Sequence, residues 1–558
     1  MTPLSACGSQ PRRRSVARRR SVAIGLRRGC DVPVDTAAMT TAPLAPVAFT
    51  GGRILTMDSG RAAEPEALVV ADGRVAAVGA IGILDRWPGA DKVELAGRLL
   101  VPGFIDAHNH LSLAALQPRW ADLSAATGVD DIDQPLRDQA VREPDAEWIR
   151  GSGWEVAGNW PKTLNRFDLD ALGFDRPVIV THFSLHMAVV CSRGLDVLGI
   201  GRHTPDPDGG LIERDAADEP TGLLIERAWS QAHAASVAAY LDPDRWEEHL
   251  LARMRVLLSE GVTCIHDAAT PPAAEALYGR LAAAGRLPLS VLTMPHPAAL
   301  LSGPEGHRLD GPPTGDGDEW LRVGPVKLFA DGGSHPAIDA HRHGERFTAG
   351  IAFPDLAADM AKVAARGFRV AVHAMGNAGL ESTLDAFAGV GRRDDSDQRF
   401  RVEHATLASP AQVARLAELG GVAVVQPGFL PQLGTRVSSL GFDDATWMPF
   451  ADLVRAGVPM AASSDHPCGD WQPLAVSCHG ATRWTGREVF GADQALGYED
   501  WLRAWTAGSA YAGGQEHERG RLIPGTRADL VILNGDLDPD QPPTVAETWV
   551  AGRRCYAA

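Results

Sequence analysis

Lysine is nearly missing from this chain. Of its 53 basic residues only four are lysine, Lys92, Lys162, Lys327 and Lys362, so a lysine inside an apolar stretch is an unusual choice here. Cysteine is scarce too. The seven, Cys7, Cys30, Cys191, Cys264, Cys468, Cys478 and Cys555, are scattered, odd in number and never spaced Cys-x-x-Cys. That argues against a disulfide framework and a structural zinc knuckle, and it fits a reducing, cytoplasmic compartment. No apolar run approaches the roughly 18 residues a membrane helix needs, so no membrane partner is expected. No internal repeat of fixed period is visible. Net positive charge is confined to the N-terminal stretch. The net charge is −17, yet residues 1–38 carry +6, leaving −23 on the remainder, which would repel nucleic-acid phosphates. The preference for Arg over Lys, with abundant Ala and Gly, resembles the usage of a GC-rich bacterial gene.

At 558 residues and 45% hydrophobic content, the chain suits a barrel of roughly 250 to 400 residues with an accessory domain. Residues 1–44 show no hydrophobic periodicity. Their Arg clusters at 12–14 and 18–20 resemble a targeting signal or a nucleic-acid arm, but no apolar core of useful length follows them. The expectation is a disordered leader or a mis-assigned start, with Met39 the true one. Residues 45–101 read as strands. Asp72-Gly73 between two apolar runs is a hairpin signal, and Ala96-Gly97 divides two more short strands. The last segment, 506–558, reads the same way, with Ala551-Gly552 as a turn. A small β-sandwich domain built from both chain ends is therefore expected. Between them, residues 102–505 alternate strand and helix. Eight strand-like runs, Phe104–Ala107, Pro177–Thr181, Val262–His266, Val326–Ala330, Arg369–His373, Arg401–His404, Val422–Gln426 and Val458–Ser463, predict an α/β fold of the (β/α)8 TIM-like barrel type. Helices are predicted over Pro354–Arg366 and Pro410–Leu419. Residues 112–176 are irregular and read as an insertion over the barrel mouth.

The chemistry collects at the ends of these strands. After Phe104–Ala107 come His108 and His110, two imidazoles that a strand points to one side. Alone this is weak evidence, since His341 and His343 repeat the spacing in a loop-like stretch. Further on, Lys327 sits inside Val326–Ala330, His373 and His404 end two strands, and Asp465 follows another, just before His466-Pro467. Each has a plainer reading. A strand-end His is often simply a satisfied polar residue, Asp465 could mark a turn, and Lys327 could pair with Asp331 or Glu403. Five separate segments sharing the pattern at one face of a barrel favour a common site.

These segments resemble the amidohydrolase superfamily, and within it the amidohydrolase-3 group that includes N-substituted formamide deformylases. The resemblance spans roughly residues 46–556. It is carried by Pro102–His110, Val326–Gly332, His373–Asn377, Val402–Ala405 and Ser463–Pro467, with Asp208–Gly210, Pro220–Leu224 and Pro524–Leu530 in support. The resemblance implies that His108, His110 and Asp465 hold one divalent metal, that His373 and His404 hold a second, and that Lys327 bridges them as an Nζ-carboxylated lysine. A mononuclear variant using fewer ligands stays open. Imidazole and carboxylate ligands suit Zn²⁺, with Mn, Fe or Ni as alternatives, one or two ions per subunit. The implied function is hydrolysis of an amide-type C–N bond by metal-activated hydroxide, with Asp465 as general acid and base. Ester, lactone or phosphoester hydrolysis or deamination at the same site is the alternative, and a non-catalytic binding barrel the third reading. His186, His266, Trp154, Trp160 and His466 are candidates to line a small-molecule pocket, with His335, His341 and His343 nearer the mouth. A homo-oligomer stays open.

Overall fold

Phe104–Ala107 is a short, mostly apolar run, which suits a buried strand. In the computed structural model, which describes residues 45–60, 64–155, 164–296, 309–390 and 399–558, it lies in β1 (Phe104–Asn109), buried along its whole length. β1 pairs in parallel with β2 (Val262–Thr270), β2 with β3 (Ser290–Pro295), and β3 with the short strand Leu321–Val323. A second parallel arc runs β4 (Val326–Phe329), β5 (Val370–Ala374), β6 (Arg401–His404), β7 (Val422–Val425) and β8 (Met460–Ala462). Helices such as Pro272–Ala283, Asn377–Val390 and Pro410–Glu418 follow individual strands. This is a TIM-barrel-like α/β arrangement. The ladder is not continuous. The arcs approach each other through a few backbone bonds, Gly324 N–H to Thr293 O at 2.7 Å on one side and, on the other, Asp465 N–H to His108 O and His110 N–H to His466 O, both at 2.8 Å.

One of the predicted eight places needs correction. Pro177–Thr181 is a strand (Val178–His182), but it belongs to a separate six-stranded sheet with Ala121–Asp122, Ile149–Trp154, Met187–Val190, Gly210–Arg214 and Pro220–Glu226. Its place in the arcs is taken by Ser290–Pro295, which prolines 288 and 295 bracket in the sequence like a loop. The sheet lies within the long connection from β1 to β2 and has its own apolar core, including Leu136, Ile149, Trp154, Val180 and Val189.

The chain ends form two sheets. One orders Arg74–Gly79, Ala67–Ala71, Val47–Thr50 and Asp91–Glu94; the other joins Arg53–Ile54 and Leu99–Pro102 to Leu530–Asn534, Thr544–Val550 and Arg553–Ala557. Phe49, Leu68 and Val70 from the first share a cluster with Leu100, Leu530 and Ile532 from the second. Both hairpins turn where predicted, at Asp72-Gly73 and Ala551-Gly552, all four residues having positive φ. Pro410 opens its helix as expected, behind a Ser409 cap that accepts the Gln412 N–H. The helix expected from Pro354 starts two residues later, at Leu356. Among the described residues no helix is long and apolar enough to cross a membrane, and Cys191, Cys264, Cys468, Cys478 and Cys555 are all unpaired. The expected leader, with Cys7, Cys30 and Met39, lies outside the described residues, as do Trp160 and Lys162.

Candidate metal centre

The centre is built at the C-terminal ends of β1, β5 and β6 and just beyond β8. Asp465 Oδ1 lies 3.3 Å from His108 Nε2 and 3.2 Å from His110 Nε2. The ligand atoms of these three buried residues all fall within 4.8 Å of one another. His404 packs beside His108 at a ring separation of 5.0 Å, and His373 beside His404 at 4.5 Å. Lys327 Nζ, on β4, sits 3.4 Å from His108 Nε2. The six residues read from the strand ends thus meet in one place.

Their outer contacts fix which nitrogen faces inward. His108 Nδ1 donates to Glu403 Oε2 (2.5 Å), His110 Nδ1 to Ala268 O (2.9 Å), and His404 Nδ1 to Gln426 Oε1 (2.9 Å). With the proton committed outward, each Nε2 turns a lone pair toward the others, as metal-ligating imidazoles do. Among the described residues, Asp465 Oδ1 and His373 Nε2 are buried without any hydrogen-bond partner. Buried polar atoms rarely go unmatched. Two orphaned acceptor-capable atoms among inward lone pairs are a donor set that fits a divalent cation.

Electrostatics follow from burial. Burial pushes His108 down to about 4 and His404 to about 3, so both imidazoles are neutral, the form that ligates. Burial also brings the Lys327 amine down to about 8. It pushes Asp465 the other way, but His108 and His110 outweigh it and hold the carboxyl well below the usual range.

Sequence reasoning missed Glu403 as the residue that holds His108. It is fully buried and takes Arg401 Nε at 2.8 Å and Nη2 at 3.1 Å; burial raises its carboxyl, but Arg401 overrides that and keeps it ionised. Arg401 and Glu403 alternate with Val402 along β6, so a charged face on an apolar strand was the available signal. Asp106 was missed likewise. It takes the Ser464 N–H (2.9 Å), the Ser464 hydroxyl (2.6 Å) and Asn109 Nδ2 (2.9 Å), tying β1 to the segment that carries Asp465.

Beside the centre opens a cavity of about 280 Å³ whose wall includes His373, His404 and Asp465 and, more apolar, Phe183, Met375, Phe429 and Leu433. His186 lines it. Three other expected lining residues do not. His266 is buried within the barrel with its Nδ1 against Arg401 Nη1 (3.1 Å). Trp154 lies in the core of the inserted sheet, edge-on to His182. His466 turns its Nδ1 back to Gly469 O (3.2 Å) and its ring toward Trp471. His341 is paired with Asp444 on the exposed hairpin Ile338–Ala349, while His335 stays close to Ser334. Missed on the cavity side was Glu226, a buried carboxylate bound to His186.

A model of the amidohydrolase family matches residues 91–556. An N-substituted formamide deformylase from Arthrobacter pascens is 32% identical over 494 residues, covering 84% of this chain and 90% of its own length. The putative amidohydrolase YtcJ from Bacillus subtilis (strain 168) is 30% identical over 519 residues, covering 88% and 95%. The crystal structure of an uncharacterized metal-dependent hydrolase from Pyrococcus horikoshii OT3 superimposes with a TM-score of 0.69 at 24% identity, over 88% of this chain and 98% of that one.

Proposed function

The chain belongs to the amidohydrolase family, and on that premise we propose that it is a metal-dependent hydrolase that cleaves the C–N bond of an amide carrying an apolar N-substituent. One observation carries the reading: a buried, unpartnered carboxylate oxygen, Asp465 Oδ1, equidistant from two imidazole nitrogens with inward lone pairs. His108, His110 and Asp465 would hold one divalent ion, with Zn²⁺ the best match to the donor set, and His373 and His404 a second. Lys327 would bridge them as a carbamate. Its amine, lowered to about 8 and buried, is neutral often enough to add carbon dioxide, and the carbamate oxygens turn a cation that repels metal into an anion that binds it. When bound, the metal supplies Lewis acidity for a carbonyl oxygen and acidifies water from about 15.7 toward about 7.

The protein residues do the rest. Asp465 takes a proton from the attacking water and delivers it to the departing nitrogen, so that amide and water become acid and amine. Glu403 and Gln426 keep the imidazoles aimed. Phe183, Met375, Phe429 and Leu433 exclude water and receive the hydrocarbon part of the substrate. The deformylase from Arthrobacter pascens supports a formyl group on the acyl side.

The test is elemental analysis of purified protein together with hydrolysis of N-cyclohexylformamide before and after chelation. About two metal equivalents per chain supports the bridged centre and about one the mononuclear form. Lys327→Ala should empty one position or both. If that variant keeps full metal content and activity, the carbamate bridge is wrong; if the metal-loaded wild type leaves the formamide intact while cleaving esters, the C–N assignment is wrong.

A further inference from the structure

The helix Phe429–Val437 forms one wall of the cavity. Phe429, Gln432, Leu433 and Arg436 line it, at the i, i+3, i+4, i+7 spacing of a single helix face. One end of that face is fixed at the metal centre, where the Phe429 ring stacks on His404 at 6.0 Å. Arg436 is the other end, seven residues and therefore about 10 Å further along the axis. A substrate lying along this face passes apolar Phe429 and Leu433 before it meets the charge.

Arg436 is the one lysine or arginine among the described residues of the cavity wall. Two residues of the inserted sheet and its loops meet its guanidinium from the other side. The Phe183 ring lies 5.6 Å from Cζ, and Glu155, just past the strand Ile149–Trp154, accepts from Nη2. Both members of this ion pair are open to solvent, Arg436 by 36% and Glu155 by 51%. Pairs this exposed contribute little to stability, so an incoming anion can take the place of Glu155 at small cost. Among the described residues Nε and Nη1 have no hydrogen-bond partner, and a guanidinium fork matches a carboxylate with two donors at once.

The sheet side of the cavity holds a second unmet donor. His182 also lines it, and its Nδ1 meets the Ser184 N–H at 3.2 Å and the Ser184 hydroxyl at 2.8 Å. A backbone N–H can only donate, so Nδ1 accepts and the ring hydrogen is on Nε2. That Nε2 is buried with no partner among the described residues. A cation and an unmatched N–H in one cavity call for a ligand that brings negative charge and acceptor oxygens.

We propose that Arg436 seats a terminal carboxylate of the substrate, so that the preferred amides carry an N-substituent that is apolar through its middle and anionic at its far end, with Glu155 holding the seat until the substrate displaces it. This rests on the reading of the cavity as the substrate site of an amide hydrolase. Three probes test it: N-formyl-ε-aminocaproate, N-hexylformamide, in which a methyl replaces the carboxylate, and N-formyl-β-alanine, whose acid is too near the formamide to reach Arg436. Wild type, Arg436→Met and Glu155→Gln are compared. The first readout is kcat/KM of the zinc-loaded proteins. The second is the dissociation constant, by ligand-observed NMR on the same loaded proteins, of the methyl ketones corresponding to the first two probes, with CH₂ in place of N–H and so no C–N bond to cleave. Wild type should favour the long acid over N-hexylformamide at least tenfold in both readouts, as expected for a charge-assisted hydrogen bond. Arg436→Met should lower that ratio at least tenfold, and Glu155→Gln should raise it about threefold by freeing the guanidinium. A structural defect would move acid and neutral probe together, and that result overturns the proposal. So does a preference that survives Arg436→Met, or an equal loss for N-formyl-β-alanine, which would mean a general field and no seat. If loaded wild type hydrolyses none of the amides, the amide-hydrolase reading fails by itself, and the ketone dissociation constants still decide the role of Arg436.

Discussion

Glu403→Gln separates two jobs that one carboxylate performs. In the folded protein Glu403 accepts from His108 on one oxygen and from Arg401 on both, all three groups being buried. The glutamine keeps the shape and one carbonyl oxygen but loses the charge, and its NH₂ meets donors. Arg401 then stays buried without its anion. Removing one partner of such a pair costs about 3–5 kcal/mol, reduced by whatever the remaining carbonyl still accepts. Separately, His108 loses the acceptor that fixes its tautomer, which should weaken metal binding about 10–100-fold. Urea unfolding in the presence of chelator, followed by both tryptophan fluorescence and circular dichroism, gives the first quantity; coincident transitions justify reading it as a single free energy. Competition against a chromophoric chelator gives the second.

A double variant, Arg401→Met with Glu403→Leu, makes the reasoning sharper. Replacing both charges by apolar groups of similar volume should return most of the stability, yet leave metal affinity low because nothing orients His108. If Glu403→Gln stays within about 1 kcal/mol of wild type and binds metal within threefold, the pair carries neither job, and the account of the centre given above is wrong.

Asp106→Asn should cost about 1–3 kcal/mol and loosen Asp465, because an amide cannot accept from the Ser464 N–H, the Ser464 hydroxyl and Asn109 together; thermal melts and metal titration read the two effects. Glu143, buried between Arg119 and Arg245, should show its weight in the pH dependence of stability. Burial raises its carboxyl but the two arginines lower it further, so its folded pKa is depressed, its contribution is full above the ordinary carboxylate value and fades as pH falls through the folded value. Glu143→Gln should therefore be less stable than wild type by about 3 kcal/mol at pH 7, with the gap closing below about pH 4. Zinc at a hundred times its dissociation constant should stabilise the chain by about 2.7 kcal/mol; chelation should lower the melting temperature and zinc restore it, and an unmoved transition would mean that the centre binds no metal.

Much of the candidate site was legible because its residues sit where local signals are strong. Phe104–Ala107 followed by His108 and His110, Val402 before Glu403-His404, and the small-residue run before Asp465 each mark a buried strand and its end. Sheet membership was not legible. Val178–His182 carries the same local pattern as a barrel strand and even ends in histidine, but its neighbours are Ile149–Trp154 and Met187–Val190, a choice made by contacts far along the chain. Ser290–Pro295 failed in the opposite way, because flanking prolines suggest a loop and only pairing with β2 makes it a strand.

Side-chain direction was the other gap, and its cause is geometric. Alternation along a strand predicts facing only while the ladder is regular. β2 shifts register against β1 between Val262 and Cys264 and again between Ile265 and Asp267, and His266, in this irregular stretch, lies against Arg401 within the barrel instead of lining the cavity. At the mouth the backbone leaves the strand conformation altogether. Glu226, Ala269, His404, Ala405 and Asp465 have φ of 51°, 54°, 76°, 44° and 54°. Non-glycine residues in such conformations cost of order 1–3 kcal/mol each, and nothing in their identity signals it. Three of the five bear a carboxylate or imidazole that acts in the centre or on His186, and a fourth follows Ala268, whose carbonyl holds His110. The strain lies where strands end and functional groups must turn toward one another. Sequence patterns therefore locate these groups along the chain, while the partners that enforce the turns, Gln426 for His404 and Ser334 for Glu226, come from distant segments.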